Sequence, residues 1–113
     1  MPLAFPAPTA TPDWSGTGNA VVRVSFYSLL RLLLKRETLS LPWTPGLDVR
    51  QLLTRVQAEI PTPFLDKLLN ADGTLIPGTI ILVDRHNIHH LDGLQTLIAD
   101  GATVALFPPG AGG

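Results

Sequence analysis

The sequence predicts an α+β fold, a mixed sheet covered on one face by a single helix, with a short flexible tail ending in Gly-Gly. Three observations predict it. Val49, Leu52, Leu53 and Val56 fall at i, i+3, i+4 and i+7, one apolar stripe of a helix. The segments on either side alternate at period two or form short apolar runs, as strands do. The chain then passes from a strand-like run, Ala102-Thr103-Val104-Ala105-Leu106-Phe107, straight into Pro108-Pro109-Gly110-Ala111-Gly112-Gly113.

Composition narrows the function. At 113 residues, 45% of them apolar, the chain is one domain with enough material for a core. There is no cysteine, which excludes disulfide scaffolds, zinc–thiolate sites and cysteine nucleophiles. A net charge of −1 argues against a nucleic-acid binder held by a basic face. No apolar run approaches the roughly 18 residues of a membrane span. Pro2, Pro6, Pro8 and Pro12 interrupt the N-terminus, which lacks the pattern of a secretory signal, so the expected location is cytoplasmic.

Residues 1–20 are rich in Pro, Ala, Thr and Gly without periodicity and are expected to form a disordered arm. The domain, residues 21–107, opens with Val21 to Tyr27, which turns Val22, Val24 and Phe26 to one face. Ser28 to Arg36, with five leucines, fits a helical turn or a wide loop. Glu37 to Leu41 alternates, with Leu39 and Leu41 inward, and Pro42 and Pro45-Gly46 end it. Asp48 is placed to N-cap the helix, with Gln51 as its capping-box partner, and Pro61 and Pro63 stop it. Phe64 to Leu69 fits one further turn, and Asn70-Ala71-Asp72-Gly73 is a turn signal. Thr79 to Val83 is a continuous apolar run of the kind found inside sheets. Asp84-Arg85-His86-Asn87 is expected to turn, Ile88 to Leu91 to form a short strand, and Asp92-Gly93 and Asp100-Gly101 to turn again. In the last strand, Val104 and Leu106 face the core and Phe107 faces out. The order strand, strand, helix, strand, short strand, strand is the β-grasp, or ubiquitin-like, arrangement.

The tail, residues 108–113, reaches roughly 20 Å beyond Phe107 when extended. Its two prolines stiffen the base, and the last four residues carry nothing larger than a methyl group. Such an arm fits a channel too narrow for bulkier residues, and its one reactive group is the Gly113 carboxylate. A frayed terminus is the plain alternative.

Gly78-Thr79-Ile80-Ile81-Leu82-Val83, Asn87-Ile88, Leu91-Asp92-Gly93-Leu94, and the ending Asp100-Gly101-Ala102-Thr103-Val104-Ala105-Leu106-Phe107-Pro108-Pro109 with Gly112-Gly113 resemble the MoaD/ThiS family of sulfur carriers. The resemblance spans about residues 21–113, and its Phe-Pro-Pro form is closer to the MoaD branch, the small subunit of molybdopterin synthase. It implies a protein with no active site of its own. A MoeB/ThiF-like enzyme would spend ATP to adenylate Gly113, preceded by Gly112. A sulfur donor would displace AMP to leave a thiocarboxylate, and a MoaE-like large subunit would hold the catalytic pocket. Phe107, Pro108, Pro109, Gly110 and Ala111 would contact partners. No cofactor, metal, nucleic acid or membrane is implied. Two alternatives share the adenylate: a ubiquitin-like modifier joined through Gly113 to lysines, and a carrier for thiamine, amino-acid or tRNA thiolation. A β-grasp binding module with an idle tail is a third.

Four features bear on this reading. Phe107 is either a buried edge residue or, as favoured, a partner anchor. His89 and His90 are adjacent on a presumed strand and point to opposite faces, which argues against a shared metal. Arg31, Lys35 and Arg36 form a basic cluster, read as a solvated loop in preference to a contact for an acidic partner. Asp84-Arg85-His86 departs from the family pattern, which usually has a glycine in this turn.

Overall fold

Val21–Phe26 forms β1, and the computed structural model, which describes residues 20–110, buries Val22, Val24 and Phe26 while Arg23 is exposed. The expected arm lies outside the described residues except for Ala20, whose carbonyl accepts from the Trp43 N–H at 2.9 Å. The ambiguous stretch after β1 is a helix, α1, Ser28–Leu34. Leu30 and Leu34 point into the core one turn apart, and Lys35 closes the helix in the left-handed region at φ 57°.

β2, Thr38–Pro42, returns antiparallel to β1 with Val22 opposite Leu41. Leu41 is buried and Leu39 is half-buried against the core. Helix α2, Val49–Glu59, has the expected capping box: the Asp48 carboxylate accepts from the Gln51 N–H at 2.8 Å, and the Gln51 side chain accepts from the Asp48 N–H. Val49, Leu52, Leu53 and Val56 are all at most 1% exposed. Their burial contributes about 6–12 kcal/mol gross, before the entropy of ordering is charged.

After α2 the chain crosses the bottom of the core. Phe64 meets Phe26 edge to face at 6.3 Å, and Leu65–Lys67 makes a 3₁₀ turn. Gln57 ties this crossing to α2. Its amide donates to the Ile60 and Thr62 carbonyls, and its oxygen accepts from the Phe64 N–H.

β3, Ile80–Val83, and β5, Thr103–Phe107, complete the sheet with β4, His86–Asn87. The strand order is β2-β1-β5-β3-β4, with β1 and β5 parallel and the other pairs antiparallel. This is the expected mixed sheet.

Two local expectations are corrected. The turn is two residues, Asp84 and Arg85, both at positive φ (49° and 73°), as a tight hairpin requires; His86 and Asn87 belong to β4. The absent glycine is replaced by these two left-handed residues, and Asp84 is held by Thr103, whose N–H donates to its carboxylate at 2.9 Å. Ile88 to Leu91 is not a strand. Ile88–His90 is a 3₁₀ turn, capped by the Asn87 side chain accepting from the His89 N–H. The strand argument for separating His89 from His90 therefore lapses. Among the described residues no group of three or more His, Cys, Asp or Glu side chains converges as metal ligands would. β3 lies inside the sheet between β5 and β4, as expected, with Ile81 and Val83 buried, Leu82 half-buried and Ile80 exposed.

Candidate functional site

The parallel pairing of β1 with β5 decides where the tail leaves the domain. Phe26 lies opposite Leu106, so the end of β1, the start of α1 and the root of the tail share one end of the sheet. The Tyr27 N–H donates to the Leu106 carbonyl at 3.2 Å and locks this corner.

Val104 and Leu106 are fully buried, while Ala105 and Phe107 are half-buried on the opposite face, as period two predicts. Phe107 is neither bare nor core. Its ring lies flat on Tyr27, with centroids 4.4 Å apart and planes 8° from parallel. Tyr27 follows Phe26 in the β1 alternation, and that parity was the available signal for it. The pair borders a shallow depression of about 490 Å³ on the uncovered sheet face, floored by Leu82 and Ala105 and edged by Asp84, Arg85 and Thr103. Register puts Ile80 opposite Phe107 and Leu82 opposite Ala105, so the β3–β5 part of this face is apolar, while β1 and β2 add Arg23, Ser25, Thr38 and Ser40 to the same side.

Packing does not stop at Phe107. Pro108, placed in the flexible tail from sequence, is buried, because the alternation of β5 returns it to the core side beside Leu30. Pro109 is half-buried over Gly78. Gly78 is at φ +94°, and a Cβ there would lie 3.4 Å from the Pro109 Cβ. The Thr79 N–H donates back to the Ile76 carbonyl at 3.0 Å, so Pro77-Gly78 makes a tight turn with the residue types of type II. Gly110, exposed at φ +78°, is the last described residue. Ala111, Gly112 and Gly113 lie outside the described residues.

On the core side of the tail root, α1 presents leucines that were not assigned a side from sequence. Leu29, Leu32 and Leu33 are exposed at 63, 72 and 39% and, with Pro108 and Pro109, line a groove of about 500 Å³. The tail therefore leaves between two apolar surfaces, the Tyr27–Phe107 stack and the α1 groove. This is the geometry of a domain that presents its terminus. Among the described residues no helix is long and apolar enough to cross a membrane.

Comparison with known proteins agrees with this geometry. The family model of the ThiS family matches residues 25–113. A protein of Archaeoglobus fulgidus assigned as a sulfur carrier is 36% identical over 67 residues, 59% of this chain and 75% of that protein. Small archaeal modifier protein 3 of Haloferax volcanii is 43% identical over 42 residues, 37% of this chain and 46% of that protein. The solution structure of small archaeal modifier protein 1 from Methanosarcina acetivorans superposes with a TM-score of 0.67 at 27% identity, covering 86% of this chain and all of that one. Sulfur carriers of this kind are non-catalytic and pair with ThiF/MoeB-like activating enzymes. With a β-grasp sheet, a tail presented from β5 and a family match reaching Gly113, the chain belongs to the ThiS family of ubiquitin-like sulfur carriers.

Proposed function

We propose that the Gly113 carboxylate is the group on which this protein acts, and that its sulfur goes to a molybdopterin precursor, with the chain serving as a MoaD-like small subunit. The observation that carries the reading is the docked tail root. Pro108 and Pro109 are packed, Phe107 is stacked, and everything beyond Gly110 is small. The Phe-Pro-Pro form of that root supports the MoaD branch.

The chemistry follows from the carboxylate. Ionised at neutral pH, it is a poor acyl donor. Its oxygen attacks the α-phosphorus of ATP in the activating enzyme, and pyrophosphate leaves. Sulfur from a donor then attacks the acyl carbon of the adenylate, and AMP leaves with the oxygen that had attacked phosphorus. The product is a thiocarboxylate on a side-chain-poor arm, able to enter the pocket of a MoaE-like large subunit. Phe107 and the apolar face around it are the partner contact. Ile80, Leu82 and Tyr27 extend that face beyond what the monomer covers.

Intact-mass measurement of the protein from its native cell tests the reading. A terminal oxygen replaced by sulfur is expected. A second reading, conjugation to lysines as a modifier, is favoured by the likeness to small archaeal modifier proteins. It is recognised in the same samples by branched Gly-Gly peptides on lysines of other proteins. Purified protein from cells making molybdenum cofactor that carries neither mark rules out both.

A further inference from the structure

The α1 groove poses a problem that the tail chemistry leaves open. A tail ending in Gly-Gly has almost no side chains, so it gives an activating enzyme little by which to tell one carrier from another. Discrimination has to come from the folded surface. Helix α1 is apolar on nearly every side, a pattern expected of a helix covered all round. Yet it holds three of the seven exposed large hydrophobics of the described residues, at i, i+3 and i+4 spacing. Pro108 and Pro109 form the opposite wall, so whatever fills the groove also touches the tail root.

The rim is charged with one sign in excess. Arg31 pairs with Glu37 at 2.7 Å, and Lys67, which lines the groove, pairs with Asp66 at 3.4 Å. Lys35 and Arg36, beside Leu32, have no carboxylate within salt-bridge distance among the described residues. Four cations thus face two carboxylates on the rim of a protein whose net charge is −1. A second copy docked symmetrically would bring these cations together, so charge argues against self-association.

We propose that the α1 groove is the surface by which the activating enzyme selects this carrier, and that it seats an apolar segment of that enzyme flanked by carboxylates. The proposal rests on the carrier reading. The enzyme then holds the tail root from both sides, with the Tyr27–Phe107 stack on one and the groove on the other. The terminus enters the adenylation site at a fixed angle.

The test is ATP–pyrophosphate exchange by the ThiF/MoeB-like enzyme of the same genome, with the full chain as substrate. Leu29→Ser/Leu32→Ser alters two largely exposed side chains and is expected to leave the melting temperature within experimental scatter. Its KM should rise about tenfold or more with kcat nearly unchanged, as for loss of an interface anchor. Arg36→Glu/Lys67→Glu, a second variant outside the core, should raise KM and flatten its dependence on salt. Wild-type exchange with unaltered KM in both variants overturns the groove proposal alone. No exchange with the wild-type chain overturns the carrier reading and the groove proposal with it. Two further measurements would assign the groove another occupant and overturn the proposal. One is sedimentation as a dimer that the leucine variant dissociates. The other is binding of the wild type, lost in the leucine variant, to phosphatidylglycerol-containing vesicles.

Discussion

Phe107 and Leu106 are neighbours in one strand, but the pleat gives them different tasks. Leu106 is fully buried, so Leu106→Ala should cost about 2–5 kcal/mol of stability. Phe107 is half-buried and stacked on Tyr27. Phe107→Ala should cost the domain less, including about 0.5–1.5 kcal/mol for the lost stack. It should weaken partner binding by about 2 kcal/mol or more. Denaturant midpoints and partner affinities for both variants separate the two effects. Equal destabilisation with unchanged affinity of the folded fraction would refute the anchor role. Gly78 gives a second prediction at this scale. Its φ of +94° disfavours any side chain, whereas a Cβ there would meet Pro109 at an ordinary 3.4 Å contact. Gly78→Ala should cost on the order of 1–2 kcal/mol through backbone strain alone. It should also raise hydrogen exchange at Thr79, whose N–H closes the turn on the Ile76 carbonyl at 3.0 Å. Exchange at Thr79 equal to wild type would mean that the turn accepts a side chain at Gly78 without strain.

Among the elements, α2 is held by local chemistry as well as by its buried stripe. Asp48→Ala removes the acceptor for the Gln51 N–H and should lower stability by about 1 kcal/mol. Asp48→Asn, which keeps an acceptor, should recover most of that loss in the same thermal melt. An equal loss in both variants would mean that the carboxylate does something other than cap. This helix was legible in the sequence because stripe, cap and stop signals agreed, and β1 and β5 were legible because alternation survives wherever one face is buried. Legibility failed where a side chain competes with the backbone pattern. Ile88 and Leu91 look like strand positions, but the Asn87 side chain captures the His89 N–H and winds the chain into a 3₁₀ turn. In α1, leucine at nearly every position erases the periodicity that would have distinguished helix from loop. The fold buries Leu30 and Leu34, with Leu30 beside Pro108. Gln57 was unreadable for another reason. Its four partners, Ile60, Thr62, Phe64 and Leu65, lie in a stretch whose path is set by tertiary packing, so no spacing in the chain announces them.

For the whole molecule, the division of labour is between a packed domain and a terminus, Ala111-Gly112-Gly113, with no side chain larger than a methyl group. The last described groups that pack are Pro108 and Pro109. Removing Gly113 therefore should leave the thermal melting curve unchanged, since a terminal glycine has no side chain to bury. Function should respond very differently. The deletion still ends in a carboxylate, that of Gly112, but one residue nearer the domain, a retreat of about 3.5 Å along an extended arm. On the carrier reading proposed above, the activating enzyme holds that carboxylate in line with the α-phosphorus of ATP while the tail root is fixed at Phe107–Pro109. Misplacement of reacting atoms by about 1 Å can already cost on the order of a hundredfold in rate. Pyrophosphate exchange should accordingly fall by at least about a hundredfold, through kcat more than KM, because the folded contacts that set KM are intact. Appending a tryptophan after Gly113 should give the same loss by blocking a channel matched to glycine. If the shortened chain is adenylated as fast as the full one, the enzyme does not measure tail length from the domain. The carrier and modifier readings, which both require a carboxylate delivered at a fixed reach, would then fail together.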